Sequence, residues 1–486
     1  MMPIGRDMAI ILSNLKGLFI IIGSIMLGMA TISAYFGETM VADGFFYGAL
    51  LGIGLGMVLH TVYPESREPE LRHAMVVAAI AYLVVPGISA IPYVVTGHMG
   101  LLDAFFEAIS GWTGSGFSMM PEPQSSHPMI LLWRSITQWI GGLGVILLMV
   151  TILIRPGTST YMLYQSEARK DKILPSIRST LNVIWSLYLA LTILAMLLLL
   201  ATGLPAWDAL NTAMTAISTG GFSIYGESIA AYHSLPLELA LLPIMLAGAL
   251  PFAVMYRTAR KGVSKLFDDA QVKAFIFMIV AGALLLSIEN YYYYGNIAES
   301  IRYSVFQFIS AITCTGFQSA DVSQWSQSAL LIMSIAMIIG GCAGSTAGGI
   351  KVARAIFVGN EVKLWFTRML HSKNSIVAIK IGGKRVTEDV VDQEMAEASL
   401  ISFLWLISAL VSVLLLSHIV GQRFDLSHII FAVCSAQGNV GITCGIINQS
   451  LPAIGKLLVI MNMWIGRLEI IPVLVLVRYL LKGFKS

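Results

Sequence analysis

Runs of about 20 predominantly apolar residues are long enough to cross a bilayer, and this 486-residue chain has ten of them. They occupy residues 17–35, 41–60, 74–95, 129–154, 181–201, 237–255, 274–288, 330–339 and onward, 400–420 and 457–481. A buried soluble core accommodates one or two such runs, not ten. Only 12% of the residues are charged, against about 25% in soluble domains. The fold expected is therefore an all-α polytopic membrane protein. The first run has no small-residue cleavage site behind Tyr35 and a second run follows directly, so it reads as a span rather than a signal peptide. Cys314, Cys342, Cys434 and Cys444 are scattered and form no CxxC pair, which argues against a disulfide framework or a zinc site.

Orientation follows from the basic residues, which collect on the cytoplasmic side of short loops. Segments 1–16, 65–72, 155–178, 257–273, 351–385 and 478–485 hold 25 of the 30 Lys and Arg residues. Alternate connections are thus basic, and ten spans with both termini in the cytoplasm satisfy the parity. The net charge of +3 gives no reason to expect a nucleic-acid partner; the partner surface is lipid.

Between these spans one pattern occurs four times. "FFEAISGWTGSGFS", "LNTAMTAISTGGFS", "VFQFISAITCTGFQ" and "IFAVCSAQGNVGIT" align on Gly116, Gly221, Gly316 and Gly441. Six residues before each glycine stands a hydroxyl side chain (Ser110, Thr215, Ser310, Ser435) and five before it a small residue (Gly111, Ala216, Ala311, Ala436). Phe117, Phe222, Phe317 and Ile442 follow. Each unit reads as span, short helix, polar glycine segment, span. Irregular backbone at membrane depth is tolerated where it is buried or lines a watery cavity, so four such units in one orientation are expected to surround a single axis. The chain then divides into residues 1–64, two additional spans, and four repeats over 65–160, 161–265, 266–375 and 376–486.

A cation leaving water needs replacement oxygens, and backbone carbonyls aimed at an axis supply them. Glycine adopts the backbone angles this requires at little cost. The expected ion-selectivity residues are Gly116, Gly221, Gly316 and Gly441, with Thr113, Ser115, Thr219, Gly220, Cys314, Thr315, Asn439 and Val440 beside them. The four segments hold no carboxylate, which suits a weakly hydrated monovalent ion. Glu107, Asp208, Glu227 and Asp321 flank them, either as an outer funnel attracting cations or as ordinary solvated acids.

The second span of each repeat has its own match: "WIGGLG", "LAGALP", "IIGGCAG" and "WIGRLE" align on Gly141, Gly248, Gly340 and Gly466. The next residue is Gly142, Ala249, Gly341 and, in the fourth, Arg467. A charge in mid-span faces a cavity or a partner. Arg467 is expected to project toward the axis as a barrier to passive cation flow, the alternative being a structural pair with Glu469. In the third repeat "GGCAGSTAGG" has too many small residues for a straight helix. Gly340, Gly341, Gly344, Ser345, Thr346, Gly348 and Gly349 are expected to form a mobile gate beneath the glycine segments, the alternative being a small-residue packing seam.

With "GGCAGSTAGGIKV" in the third repeat and "GRLE" in the last, nearly the whole chain resembles the Trk/Ktr/HKT superfamily of potassium transporters. The two added N-terminal spans make it most similar to the bacterial Trk potassium uptake membrane subunit. That resemblance implies potassium selectivity at the four glycines, and a pore obstructed jointly by the 340–349 loop and Arg467. It implies a homodimer in the bacterial inner membrane. It also implies a cytoplasmic Rossmann-like nucleotide-binding regulatory subunit responding to ATP, ADP or NAD(H); the chain itself has no phosphate loop, so nucleotide is expected on that partner. Two segments depart from the family pattern: the first is richer in glycine (Gly114, Gly116), and the fourth has Ile442 in place of the aromatic. A symporter coupling potassium to sodium or proton entry stays open as an alternative, with Glu469 the nearest acid. The histidines form no HExxH, and a membrane-embedded enzyme is not expected.

Overall fold

The computed structural model describes residues 6–64, 70–97, 99–153, 177–370, 380–381, 384–385 and 388–482. Most of the basic 155–178 connection lies outside them. The chain opens with a helical hairpin, α1 (Arg6–Tyr35) and α2 (Thr39–Val62). The two helices meet along Gly52 and Gly56: a Cβ on Gly52 would lie 3.1 Å from the Phe19 carbonyl oxygen, and one on Gly56 3.0 Å from that of Lys16. Lipid tails are as apolar as the helices, so this close backbone approach, rather than expulsion from water, holds the pair together.

The four repeats follow. The first is α3 (Leu71–Ser89, extended by a turn over Ile91–Val95), α4 (Leu101–Thr113) and α5 (Pro128–Leu153). The second is α6 (Ile177–Ala201), α7 (Ala206–Ile217), α8 (Leu235–Ala249) and α9 (Phe252–Lys261). The third is α10 (Ala270–Tyr294), α11 (Ile297–Ile312), α12 (Gln327–Ile339) and α13 (Val352–Leu370). The fourth is α14 (Glu388–Val420), α15 (Leu426–Gln437), α16 (Ala453–Arg467) and α17 (Ile471–Lys482). Helices α4, α7, α11 and α15 have 13, 12, 16 and 12 residues. At 1.5 Å per residue they fall short of the roughly 30 Å hydrocarbon layer. A two-residue antiparallel ladder, Lys380–Ile381 with Lys384–Arg385, is the one described departure from an all-helical chain.

Among the described residues, six helices are long and apolar enough to cross a membrane uninterrupted, and two further pairs, α8–α9 and α16–α17, qualify only as bent units, turning through 109° and 111°. The sequence pointed to a break in the third repeat alone. In the second repeat Pro251 is the cause: it has no N–H, and it holds the preceding Leu250 in extended geometry (φ −86°, ψ 151°). In the fourth, Glu469 and Ile470 turn the chain with φ of +54° and +65°. The third repeat ends α12 at Gly340 and resumes at Val352.

Candidate ion pore

Each short helix ends in the same way. The amide two residues before the aligned glycine donates to the carbonyl three back: Gly114 to Gly111, Thr219 to Ala216, Cys314 to Ala311 and Asn439 to Ala436, at 3.0–3.2 Å. The next amide reaches five back: Ser115 to Ser110, Gly220 to Thr215, Thr315 to Ser310 and Val440 to Ser435, at 2.8–3.0 Å. These paired bonds are a Schellman termination, and they place Gly114, Thr219, Cys314 and Asn439 in the left-handed region, with φ of +67°, +51°, +55° and +51°. Three of the four are not glycine, so each stores about 1–3 kcal/mol of local strain.

The aligned glycines return to positive φ: +77° at Gly116, +73° at Gly221, +86° at Gly316 and +94° at Gly441. The residue between each pair of positive-φ positions is not itself at positive φ, so the backbone alternates in sign along each segment. The segments also pack on one another in cyclic order. A Cβ on Gly116 would lie 2.3 Å from the Gly220 carbonyl oxygen, on Gly221 2.0 Å from that of Thr315, on Gly316 1.9 Å from that of Val440, and on Gly441 2.1 Å from that of Ser115. Repeat one thus touches two, two touches three, three touches four and four touches one, each through a glycine against the residue before the next glycine. No side chain larger than hydrogen fits at any of the four contacts.

The small residues behind the ring have the same origin. Gly141, Gly248 and Gly466 lie against the carbonyls of Trp112, Ile217 and Gln437 in their own repeats, where a Cβ would come within 2.3, 2.8 and 1.9 Å. In the third repeat Gly340 instead faces Gly348, at 2.2 Å. The sequence-expected Thr113 falls one residue outside the register. It sits at the end of α4, its hydroxyl donating to the Ile109 carbonyl (2.7 Å), and Gly114 takes the place corresponding to Thr219, Cys314 and Asn439. Counting back from Gly116 reveals this; the shared hydroxyl of Thr113 and Thr219 concealed it.

Residues 340–349 lie across the helix-end side of the ring. The Thr346 hydroxyl donates to the carbonyls of Ile217 (3.1 Å) and Gly248 (2.9 Å) and receives from Thr219 (3.1 Å). The Cys342 amide donates to the Ala249 carbonyl (3.0 Å), and the Ser345 hydroxyl closes the turn on the Cys342 carbonyl (2.6 Å). A Cβ on Gly348 would lie 2.0 Å from the Gly438 carbonyl oxygen, so the loop also touches the fourth segment. Gly341 abuts Ala347, and Gly349 abuts Gly340. Gly344 has open space around it, and its carbonyl accepts from the Phe252 amide (3.1 Å).

Arg467, 5% exposed, reaches the same place. Its Nη1 donates to the Thr346 carbonyl (2.9 Å) and its Nη2 to those of Gly141 (2.9 Å) and Gly142 (3.2 Å). It therefore ties the loop to the first repeat, within 3.8 Å of where a Cβ on Gly114 would be. Glu469 pairs instead with Arg354 of α13, and among the described residues Arg467 makes no ion pair.

The flanking acids are neither a uniform funnel nor uniformly solvated. Glu107 is fully buried: it takes Nε of Arg134 at 2.7 Å and the Met119 amide at 2.7 Å. Asp208 accepts from the Tyr232 hydroxyl (2.9 Å). Only Glu227 and Asp321 are exposed. Arg134 was not singled out as a site residue in the sequence because its partners are distant in the chain. All four cysteines are unpaired and buried.

Comparison with known proteins agrees with this architecture. Residues 44–484 match the model of the TrkH family, described as cation transport protein. An uncharacterized cation transporter of Methanocaldococcus jannaschii is 33% identical over 472 residues, covering 97% of this chain and 95% of that protein. The Trk system potassium uptake protein TrkH of Halomonas elongata is 27% identical over 454 residues, covering 90% and 92%. The crystal structure of the potassium transporter TrkH from Vibrio parahaemolyticus superposes with a TM-score of 0.85 at 23% identity, over 96% of this chain and 98% of that one. The chain belongs to the TrkH family of cation transport proteins.

Proposed function

We propose that this chain is the potassium-conducting membrane subunit of a Trk-type uptake system. The observation that carries the reading is the closed ring of four glycine contacts, with the 340–349 loop and Arg467 packed against its helix-end side. In this reading the carbonyls of Gly116, Gly221, Gly316 and Gly441, with those of Ser115, Gly220, Thr315 and Val440, replace the hydration shell of potassium. Those of Gly114, Thr219, Cys314 and Asn439 form the ring's inner end. The loop and Arg467 are the gate: a fixed positive charge beneath the ring raises the barrier to a cation, and the loop fills the path. The potassium substrate is supported by the likeness to the Trk system potassium uptake protein of Halomonas elongata, together with the carboxylate-free ring.

The protein works as a homodimer in the bacterial inner membrane, with both termini cytoplasmic. A cytoplasmic Rossmann-like subunit binding ATP, ADP or NAD(H) moves the gate from the basic inner side, where Lys351 and Arg354 directly follow the loop. Coupled symport has less support, because Glu469, the acid nearest the path, is committed to Arg354.

The test is rubidium-tracer uptake into liposomes holding the purified protein, with potassium, sodium and lithium as competitors. Uptake blocked by potassium and not by lithium is expected. If the native chain is closed without its partner, Arg467→Ala opens it. No uptake in either form refutes the reading.

A further inference from the structure

Three residues before the aligned glycine of the second span, three repeats carry a methionine and one carries a glutamine. Gln138 of α5, fully buried, reaches into the second glycine segment. Its Nε2 donates to the Gly220 carbonyl (2.6 Å) and its Oε1 accepts from the Phe222 amide (3.0 Å). One amide thus grips the backbone on both sides of Gly221. Arg134 lies one turn earlier on the same helix face. Its Nη1 donates to the Ser223 carbonyl (2.8 Å), and its guanidinium stacks 4.2 Å from the centre of the Phe222 ring. Glu107 and Ser118 anchor that guanidinium to the first repeat.

Counting from the aligned glycines of the second spans, Gln138 corresponds to Met245, Met337 and Met463, and Arg134 to Leu241, Met333 and Val459. The second segment is also the only one in which the residue before the aligned glycine is itself glycine. Ser115, Thr315 and Val440 occupy the place of Gly220 elsewhere. A Cβ on Gly220 would lie 2.5 Å from the Gln138 amide, so glycine there makes room for the clamp. Two successive glycines give the most permissive backbone in the ring, and the amide removes that freedom from behind.

We propose that Gln138, supported by Arg134, is a positioning residue for ion selection. It fixes the Gly220 carbonyl, and by occupying one lone-pair direction it makes this quadrant a stiffer and weaker cation ligand than the other three. The proposal rests on the filter reading above and deepens it.

The test is Gln138→Met, the residue of the other three repeats, made in the Arg467→Ala background so that flux needs no partner. The readout is the ratio of sodium to potassium concentrations that halve rubidium uptake, measured beside the melting temperature. The expected ratio falls about fivefold, the factor that one buried hydrogen bond of ordinary strength carries. A purely structural role would lower stability or uptake and leave the ratio alone. Should that variant not yield monodisperse protein, Gln138→Glu keeps the shape and the acceptor for Phe222 while removing the donor to Gly220, and the same fall is expected. A parental ratio in either folded variant overturns the clamp. A parent that conducts with no potassium preference overturns the filter reading instead.

Discussion

Replacing Gly316 by serine tests the ring at its tightest contact. The new Cβ would lie 1.9 Å from the Val440 carbonyl oxygen and 3.4 Å from the Gly441 Cα. Restoring ordinary contact, 3.4 Å or more, moves that carbonyl by about 1.5 Å, since the clash is with backbone and not with a flexible side-chain tip. The φ of +86° adds a left-handed penalty of about 1–2 kcal/mol for any L side chain. Both effects fall on the seam between the third and fourth segments, so the cost appears as a displaced ligand rather than as global unfolding. A shift of about 1.4 kcal/mol between two ions is tenfold in preference, and we expect at least that loss of potassium over sodium. The assay is sodium and potassium competition against rubidium uptake in liposomes, with size-exclusion chromatography to verify folding. An unchanged preference in a well-folded Gly316→Ser protein would refute the assignment of this carbonyl contact to ion selection.

Other perturbations probe the gate and its supports. Arg467→Ala removes the buried charge and three donations to carbonyls, each worth about 1.5–3 kcal/mol; rubidium flux should rise at least about tenfold, since 1.4 kcal/mol off a barrier is already tenfold, and equal or lower flux contradicts the barrier role. Gly348→Ala places a Cβ 2.0 Å from the Gly438 carbonyl oxygen; the loop must retreat from the fourth segment, and flux should again rise. Reduced flux would show that the loop supports the path rather than blocking it. Glu107→Gln leaves the Arg134 guanidinium, 2% exposed, without its counter-charge. Breaking such a pair costs about 3–5 kcal/mol, so the melting temperature should fall clearly, and an unchanged one would mean that the pair adds nothing to stability.

How much of this was legible in the sequence depends on where the cause lies. The ten apolar runs report the membrane solvent directly. The four glycines report a packing constraint repeated in register, and self-comparison of the chain exposes it without any relative. Arg467 stood out because three tiny residues share its position. The bends were only half visible: Pro251 was in plain view, but nothing at Leu468, Glu469 and Ile470 marks a turn, because the strain there is sustained by tertiary contacts. Gln138 and the Arg134–Glu107 pair were hidden for a related reason. Their partners come from another repeat or lie 27 residues away, and a lone polar residue in an apolar helix does not name the backbone it will hold. Thr113 was drawn into the expected site by its chemistry, whereas geometry assigns the position by count, to Gly114.

The central claim is that four glycine segments make one cation site. Diffraction from crystals grown with rubidium or thallium, measured at the anomalous edge, tests it most directly. The account predicts an anomalous peak on the axis of the ring, coordinated by carbonyls from all four of Gly116, Gly221, Gly316 and Gly441. A ring without a peak, or a peak held by fewer than four repeats, would contradict it.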